Sequence, residues 1–115
     1  MMKFNLKTDL SGLFEAVNKK VQVGQEVIDS EVIKGGNYFI PMDTHNLEGS
    51  SYRATVIGSG QVVWDTPYAK KLYYNPQYNF SKDQNPNAQG LWFEVAKTQF
   101  LTEWIQKVQN AIKKE

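Results

Sequence analysis

Few side chains in this sequence belong to the types that perform catalysis. His45 is the only histidine, and there is no cysteine. A Ser-His-Asp triad could be drawn from His45, Asp43 and the pair Ser50–Ser51, but all of them lie in one short connecting stretch. Catalytic triads are assembled from separate elements around a cleft. We therefore expect His45 to be an exposed loop residue, and we expect no catalytic residues.

The usual patterns for a metal ion or a cofactor are also missing. One histidine and no cysteine cannot build the Cys/His sites typical of zinc, and no loop has the spaced carboxylates of a calcium site. Asp29 and Glu31 are too close in sequence to face each other on a helix. The glycine-containing segment 58–60 lacks the following helix of a phosphate-binding loop. We expect no metal and no cofactor.

The composition limits the classes of function that remain possible. A length of 115 residues predicts one domain, 1–115. The net charge is +1 and Arg53 is the only arginine, whereas a dedicated nucleic-acid binder usually has a basic excess. No window is long and apolar enough for a membrane helix, and residues 1–10 lack the apolar run of a signal peptide. We expect a soluble protein that is not secreted by that route and has no membrane partner.

The N-terminal part of the chain predicts a strand followed by a long helix. Apolar and polar residues alternate over residues 2–8, which indicates a half-buried edge strand. From Asp9 or Ser11 onward, apolar residues recur every three or four positions and predict a helix. The pair Gly35–Gly36 is predicted to end this helix. Gly24 within it indicates close packing against another element, or alternatively a hinge.

The middle of the chain predicts a connector and a hairpin. In the connector, residues 37–51, a single helical turn would carry Leu47 inward. Residues 52–57 and 61–65 flank a glycine-containing turn, a pattern typical of a β-hairpin. Both faces of this hairpin are semi-apolar, so a partner subunit could supply its second cover.

Two proline-containing helix-start signals organise the C-terminal half. Thr66-Pro67 predicts a short helix through Leu72, with the threonine as N-cap, and Asn75-Pro76 ends it. Asn85-Pro86 predicts the start of a final helix that runs towards Lys113. The whole order predicts an α+β fold: a small antiparallel sheet, made of the N-terminal strand and the hairpin, packs against a long N-terminal helix and a long C-terminal helix, with a short helix between.

Aromatic residues are concentrated between positions 66 and 97. Seven of them lie in this window: Tyr68, Tyr73, Tyr74, Tyr78, Phe80, Trp92 and Phe93. Beside Lys70 and Lys71, such rings could form a stacking platform for single-stranded nucleic acid. The alternatives are core filling and contacts at a subunit interface, where tyrosine and tryptophan are enriched.

The ordered residues of this window resemble those of the minor capsid proteins of tailed phages that infect Gram-positive bacteria. In layout, the chain is also similar to the neck or tail-completion proteins of long-tailed phages. The matching residues are Thr66, Pro67, Tyr68, Ala69, Tyr73, Asn79, Phe80, Asn85, Pro86, Ala88, Trp92, Phe93, Ala96, Lys97 and Trp104.

The resemblance continues upstream, in a segment with the family pattern Pro-x-Asp-Thr-Gly-x-Leu-x-x-Ser. The matching residues here are Pro41, Asp43, Thr44, Leu47 and Ser50, and His45 stands in place of the glycine. If that glycine needs a positive φ, either His45 is strained or the turn differs locally.

The resemblance implies a structural role without catalysis. It implies a homo-oligomeric ring at the head–tail junction that contacts other junction and tail proteins and lets DNA pass without sequence-specific binding. It also implies a location in the virion after assembly in the host cytoplasm, with a chain that can be monomeric alone. A small nucleic-acid-binding or regulatory domain is the alternative, and an enzyme or enzyme inhibitor is a third possibility.

The candidate motif and interface residues come from the same window. They are Thr66, Pro67, Tyr68, Tyr73, Tyr74, Phe80, Asn85, Pro86, Trp92, Phe93 and Lys97. We expect the predicted hairpin and the segment 73–80 to contribute to the contact between subunits.

Overall fold

The computed structural model describes residues 2–6, 21–42 and 45–113. In chain order, its elements are β1 (Met2–Asn5), α1 (Val21–Tyr38), α2 (Asn46–Ala54), β2 (Gln61–Trp64), α3 (Ala69–Tyr73) and α4 (Trp92–Lys113). The predicted α+β class is confirmed. The predicted start of the first helix, at Asp9 or Ser11, lies outside the described residues.

The core lies between the long helices α1 and α4, which pack closely against each other. Buried residues recur every three or four positions on both helices, such as Ile28 and Val32 on α1 and Trp104 and Val108 on α4. This spacing gives each helix an apolar face. The small sheet packs against α1 and against the start of α4, and α2 packs on β2.

Strands β1 and β2 form the antiparallel sheet, with Phe4 opposite Val62. Met2 and Phe4 are buried, whereas the polar residue after each of them is exposed. The alternation predicted for this strand is therefore confirmed over Met2–Asn5.

The predicted hairpin is wrong in its first arm, because residues 52–54 belong to the helix α2. Leu47, Ser50 and Ser51 are buried at spacings of three and four, which matches a helix and not a strand. Both serine hydroxyls donate to backbone carbonyls of the same helix: Ser50 Oγ to Leu47 O at 2.7 Å, and Ser51 Oγ to Glu48 O at 2.6 Å. Among the described strands, β2 pairs only with β1.

At the edge of β2 that does not pair with β1, side-chain hydroxyls and not another strand accept the backbone N–H groups. The N–H of Val63 donates to Thr55 Oγ1 at 2.9 Å, and the N–H of Asp65 donates to Ser50 Oγ at 3.0 Å. These are backbone groups that a neighbouring strand would otherwise use. The hydroxyls therefore take the place of the predicted hairpin partner.

Gly35 and Gly36 do not end α1, which continues to Tyr38. A β-carbon at Gly36 would lie only 2.7 Å from Trp64 Cζ2, and one at Gly35 would lie 2.9 Å from Trp104 Cζ2. The two glycines therefore serve the close approach of two indole rings to the middle of a helix, and this packing requirement replaces the capping role that the sequence predicts.

The helix α3 begins later than predicted, because its N-cap is Tyr68 and not Thr66. Thr66 is buried and its carbonyl accepts the N–H of Ala69 at 3.3 Å, but its hydroxyl has no hydrogen-bond partner. The helix ends at Tyr73, ahead of Asn75-Pro76, as predicted.

The helix α4 begins at Trp92, and not at Asn85-Pro86 as predicted. The buried Asn85 side chain donates to the carbonyls of Tyr38 at 3.0 Å and Ile40 at 2.8 Å. Its oxygen accepts the N–H of Asn87 at 3.0 Å. Asn85 therefore ties the loop before α4 to the end of α1 and does not cap a helix.

Candidate interaction surface

The exposed large apolar side chains of the described residues fall mainly into two stretches. At the end of α2 and in the loop after it lie Tyr52, Val56 and Ile57, which we call the apolar tip. Flanking α3 lie Tyr68, Tyr74 and Tyr78, which we call the tyrosine surface. Tyr38 at the end of α1 is also exposed. Exposed large apolar side chains that cluster in this way are candidates for contact with other proteins.

Three of the aromatic candidates lie inside the core, namely Tyr73, Trp92 and Phe93. The ring of Tyr73 packs edge-on against Trp92, with the centroids 4.7 Å apart. Phe4 of β1 stacks on Phe93 at 4.6 Å and lies 5.3 Å from Tyr73. These rings join the sheet to the start of α4, so their role is packing.

The other candidates are divided between the surface and local structural contacts. Pro67, Tyr68, Tyr74 and Pro86 are exposed, whereas Thr66 and Asn85 are buried. Lys97 forms an ion pair with Glu94 at 3.5 Å, and its Nζ lies 5.6 Å from the centre of the Phe93 ring.

Phe80 is half-buried and lies next to the tyrosine surface. Its ring centre is 6.2 Å from that of Tyr78. Together with Pro41, Lys71 and Leu72, these rings line an open groove of 430 Å³. Phe80 can therefore contribute to a contact made by Tyr78, whereas Tyr74 lies beside Met2, Phe4 and Tyr73.

Tyr73 and Tyr74 differ in exposure, which affects the nucleic-acid hypothesis. Their rings meet edge-on with the centroids 5.0 Å apart, and only that of Tyr74 reaches the surface. Tyr73 is 2% exposed and Tyr74 is 58% exposed. Only one ring of the pair is therefore available beside the exposed Lys70 and Lys71. This arrangement does not favour a stacking platform, which needs successive exposed rings.

His45 does not contact a nucleophile among the described residues. Its Nδ1 lies 3.4 Å from Glu48 Oε1, and its Nε2 lies 3.4 Å from Gln84 Oε1. The hydroxyls of Ser50 and Ser51 are held by backbone groups and by the side chain of Asn37. Asp43 lies outside the described residues.

Other acidic residues serve structural contacts. Glu31 accepts Lys107 Nζ at 3.0 Å and pairs with Lys34 at 3.2 Å. The hydrogen bond and the negative charge of Glu31 raise the pKa of Lys107 above its usual value of 10.5. Asp29 is buried and bonds elsewhere, so Asp29 and Glu31 do not form a pair, as predicted.

Residues 2–6, 21–42 and 45–113 contain no group of three or more His, Asp or Glu side chains that could hold a metal ion. Within the same ranges, every helix is too short or too polar to cross a membrane.

The exposed apolar stretches are typical of a protein that acts through contacts with other proteins. A family model described as "Minor capsid protein" matches residues 4–112. The chain therefore belongs to this family and is a structural protein of a bacteriophage particle. Comparisons with curated proteins and with solved structures gave no match.

The individual candidate residues named from the sequence omit the apolar tip and Tyr38. The tip nevertheless lies within the predicted hairpin, whose two semi-apolar faces predict a partner subunit. The strand assignment of residues 52–54 is wrong, because they belong to α2. Apolar residues before a glycine turn give the same pattern whether they are buried or exposed, so the sequence does not show which of these side chains are exposed.

Proposed function

We propose that this minor capsid protein assembles as a ring at the head–tail junction of a tailed phage, where it supports tail attachment and leaves a channel for DNA. Its partners are copies of itself and the other junction and tail proteins. DNA passes the ring without sequence-specific contacts, in keeping with a net charge of only +1. Assembly takes place in the host cytoplasm.

The observation that carries this proposal is the presence of two separate exposed apolar surfaces on a chain of the minor capsid family. A ring requires a head-to-tail interface, in which one surface of each subunit meets a different surface of the next. The apolar tip and the tyrosine surface supply two such surfaces. The exposed fraction is 72% for Val56, 63% for Tyr52 and 58% for Tyr74.

The residue types of these surfaces support a specific contact. Tyrosine is enriched at protein interfaces because it combines a large apolar ring with a hydroxyl group and few rotatable bonds. Val56 and Ile57 are β-branched and lose little rotamer freedom on burial. Because the described aromatic rings pack against one another within one chain, we propose that the protein folds as a monomer before it meets its neighbours.

Phage particles made without this protein test the proposed position. We expect electron microscopy to show DNA-filled heads that lack tails, because the ring that joins the two parts is absent. Supplying the wild-type chain from a second gene copy should restore tailed particles. Normal tailed virions in the absence of the protein would refute the proposal.

A further inference from the structure

A buried carboxylate on α1 binds the loop that carries the apolar tip. Asp29 is completely buried. Its Oδ2 accepts the N–H of Gly58 at 2.8 Å and the N–H of Gly60 at 3.1 Å. Its Oδ1 accepts Gln25 Nε2 at 2.7 Å, one helical turn away. The carboxylate therefore connects α1 directly to the loop before β2.

The loop is shaped to receive this oxygen. Gly58 and Gly60 have φ values of 96° and 83°, in the region that favours glycine. Successive turns of this kind point backbone N–H groups into a concave site for an anion. Here the acceptor is a side-chain oxygen of the protein itself, which receives both glycine N–H groups.

Few packing contacts fix the exposed part of the loop, and one hydrogen bond within the turn runs from the N–H of Ser59 to Val56 O at 3.0 Å. Val56 is 72% exposed and Ile57 is 46% exposed, so few packing contacts restrain them. On one side, the Thr55 hydroxyl anchors the chain to Val63 of β2. On the other side, the anchors are Asp29 and the N–H of Leu6, which donates to Gly60 O at 2.7 Å. Exposed segments with few apolar contacts open easily unless hydrogen bonds restrain them.

We infer that Asp29 is a positioning residue for assembly: it holds the loop so that Val56 and Ile57 project in the shape that a neighbouring copy meets. This inference rests on the proposed function for the role of the tip. A loop that is already ordered loses less conformational entropy on binding, which strengthens association. The acceptor oxygen of Asp29, and not its volume, is the property that matters.

Amide hydrogen exchange on the wild-type chain tests the anchor without any substitution. We expect the N–H groups of Gly58 and Gly60 to exchange at least about tenfold more slowly than that of Ile57, which has no acceptor among the described residues. Exchange of all three at the same fast rate would overturn the inference.

Two substitutions of similar size separate hydrogen bonding from packing. Asp29→Asn keeps an acceptor oxygen for the glycines, and its NH₂ can donate to Gln25 Oε1, which has no partner. Asp29→Leu fills the space but accepts nothing. We expect Asn to keep most of the protection and Leu to lose it by about tenfold or more, with a parallel fall in tailed particles. Equal protection in both variants would contradict the role of the oxygen.

A matched pair of controls separates this inference from the proposed function. Ser30→Ala, next to Asp29 on the exposed side of α1, should change neither exchange nor assembly, because its hydroxyl bonds only to Glu26 O. Val56→Asp should reduce tailed particles while the glycine amides stay protected.

If Val56→Asp assembles normally, the tip is not an interface and the assembly role of Asp29 fails with it. The exchange data then still decide whether Asp29 anchors the loop. If Asp29→Leu does not fold, the wild-type and Asn data decide this question.

Discussion

His45 occupies a backbone conformation that suits glycine better than histidine. Its φ and ψ are 62° and 6°, in the left-handed region. Its carbonyl accepts the N–H of Gly49 at 3.0 Å, so the start of α2 dictates this conformation. The resemblance places a glycine at this position. Of the two alternatives that the sequence leaves open, the turn keeps its positive φ and His45 carries the strain.

We predict that His45→Gly stabilises the protein by about 0.5–1 kcal/mol. The left-handed conformation costs a residue with a β-carbon roughly 1–2 kcal/mol, and the greater freedom of glycine in the unfolded chain offsets part of that gain. Urea unfolding measures the change. His45→Ala is the control, because it keeps the β-carbon; it should give no stabilisation. A gain with alanine as large as that with glycine would show that the histidine ring, and not φ, is unfavourable.

Neighbouring tyrosines at the end of α3 should respond differently to truncation. Tyr73→Ala removes a ring from the aromatic core and should destabilise the fold by about 3–5 kcal/mol. Tyr74→Ala removes an exposed ring and should change stability by less than about 0.5 kcal/mol. Thermal or urea unfolding of both variants checks this. Comparable losses of stability in the two variants would contradict the burial of Tyr73 and the exposure of Tyr74.

At the scale of elements, glycines in α1 set how closely other elements approach it. We predict that Gly36→Ala destabilises the protein by about 1–3 kcal/mol, because the new methyl group would overlap the Trp64 ring. Gly24→Ala is the matched control in the same helix. Its β-carbon would lie 3.3 Å from Val108 Cγ1, a side-chain end that can shift. The higher helix propensity of alanine, about 1 kcal/mol, should offset that contact.

Unfolding midpoints of the two glycine variants measure the packing role of Gly36. Gly36 does not have a positive φ, so alanine there meets the Trp64 ring but adds no backbone strain. A neutral Gly36→Ala would therefore contradict the close approach of Trp64 to α1.

The ion pair between α1 and α4 should make a small contribution to stability that disappears at high pH. Glu31 raises the pKa of Lys107, so the contribution is complete below the unfolded value of 10.5 and is lost as the pH rises through the folded value. We expect Lys107→Gln to lower the melting temperature slightly at neutral pH and to match the wild type in strong alkali. Lys113→Gln, which removes a lysine from the exposed end of α4, should show no such difference.

At the scale of the whole molecule, the tyrosine surface is predicted to be needed for assembly and not for folding. The double variant Tyr74→Glu, Phe80→Glu places charge on an apolar contact surface, so tailed particles should decrease while circular dichroism shows a folded chain. Thr102→Glu with Gln109→Glu adds the same charge to the exposed polar side of α4 and is the control. Normal tail attachment with the first double variant would rule out this surface.

Local sequence patterns were sufficient to predict those parts of the structure that depend on residues close together in the chain. The alternation at Met2 and Phe4 predicts β1, and the apolar repeat that includes Trp104 and Val108 predicts α4. The presence of one histidine and no cysteine likewise limits catalytic and metal-binding chemistry without any knowledge of the fold. These features depend on residues close in the chain, and their periodicity reports which face is apolar.

Boundaries and orientations required the tertiary structure. The sequence predicts a helix end at Gly36, whereas the structure shows that Trp64 packs against this glycine. The sequence also predicts a helix cap at Asn85, whereas the Asn85 amide donates to carbonyls at the end of α1. The sequence predicts a strand at residues 52–54, whereas the buried serines of α2 show that these residues continue a helix. In each case a contact between residues distant in the chain outweighs a local preference of about 1 kcal/mol.

By itself, the sequence determined the α+β class, the presence of the N-terminal strand and of the two long helices, and the resemblance to minor capsid proteins. Only the tertiary structure decided which aromatic residues are core and which are surface, with Tyr73 inside and Tyr74 outside. It also brought Asp29 to the loop that carries Val56 and Ile57. Composition and spacing record residue types along the chain, whereas burial depends on which segments meet in space, and that is settled by packing the whole chain at once.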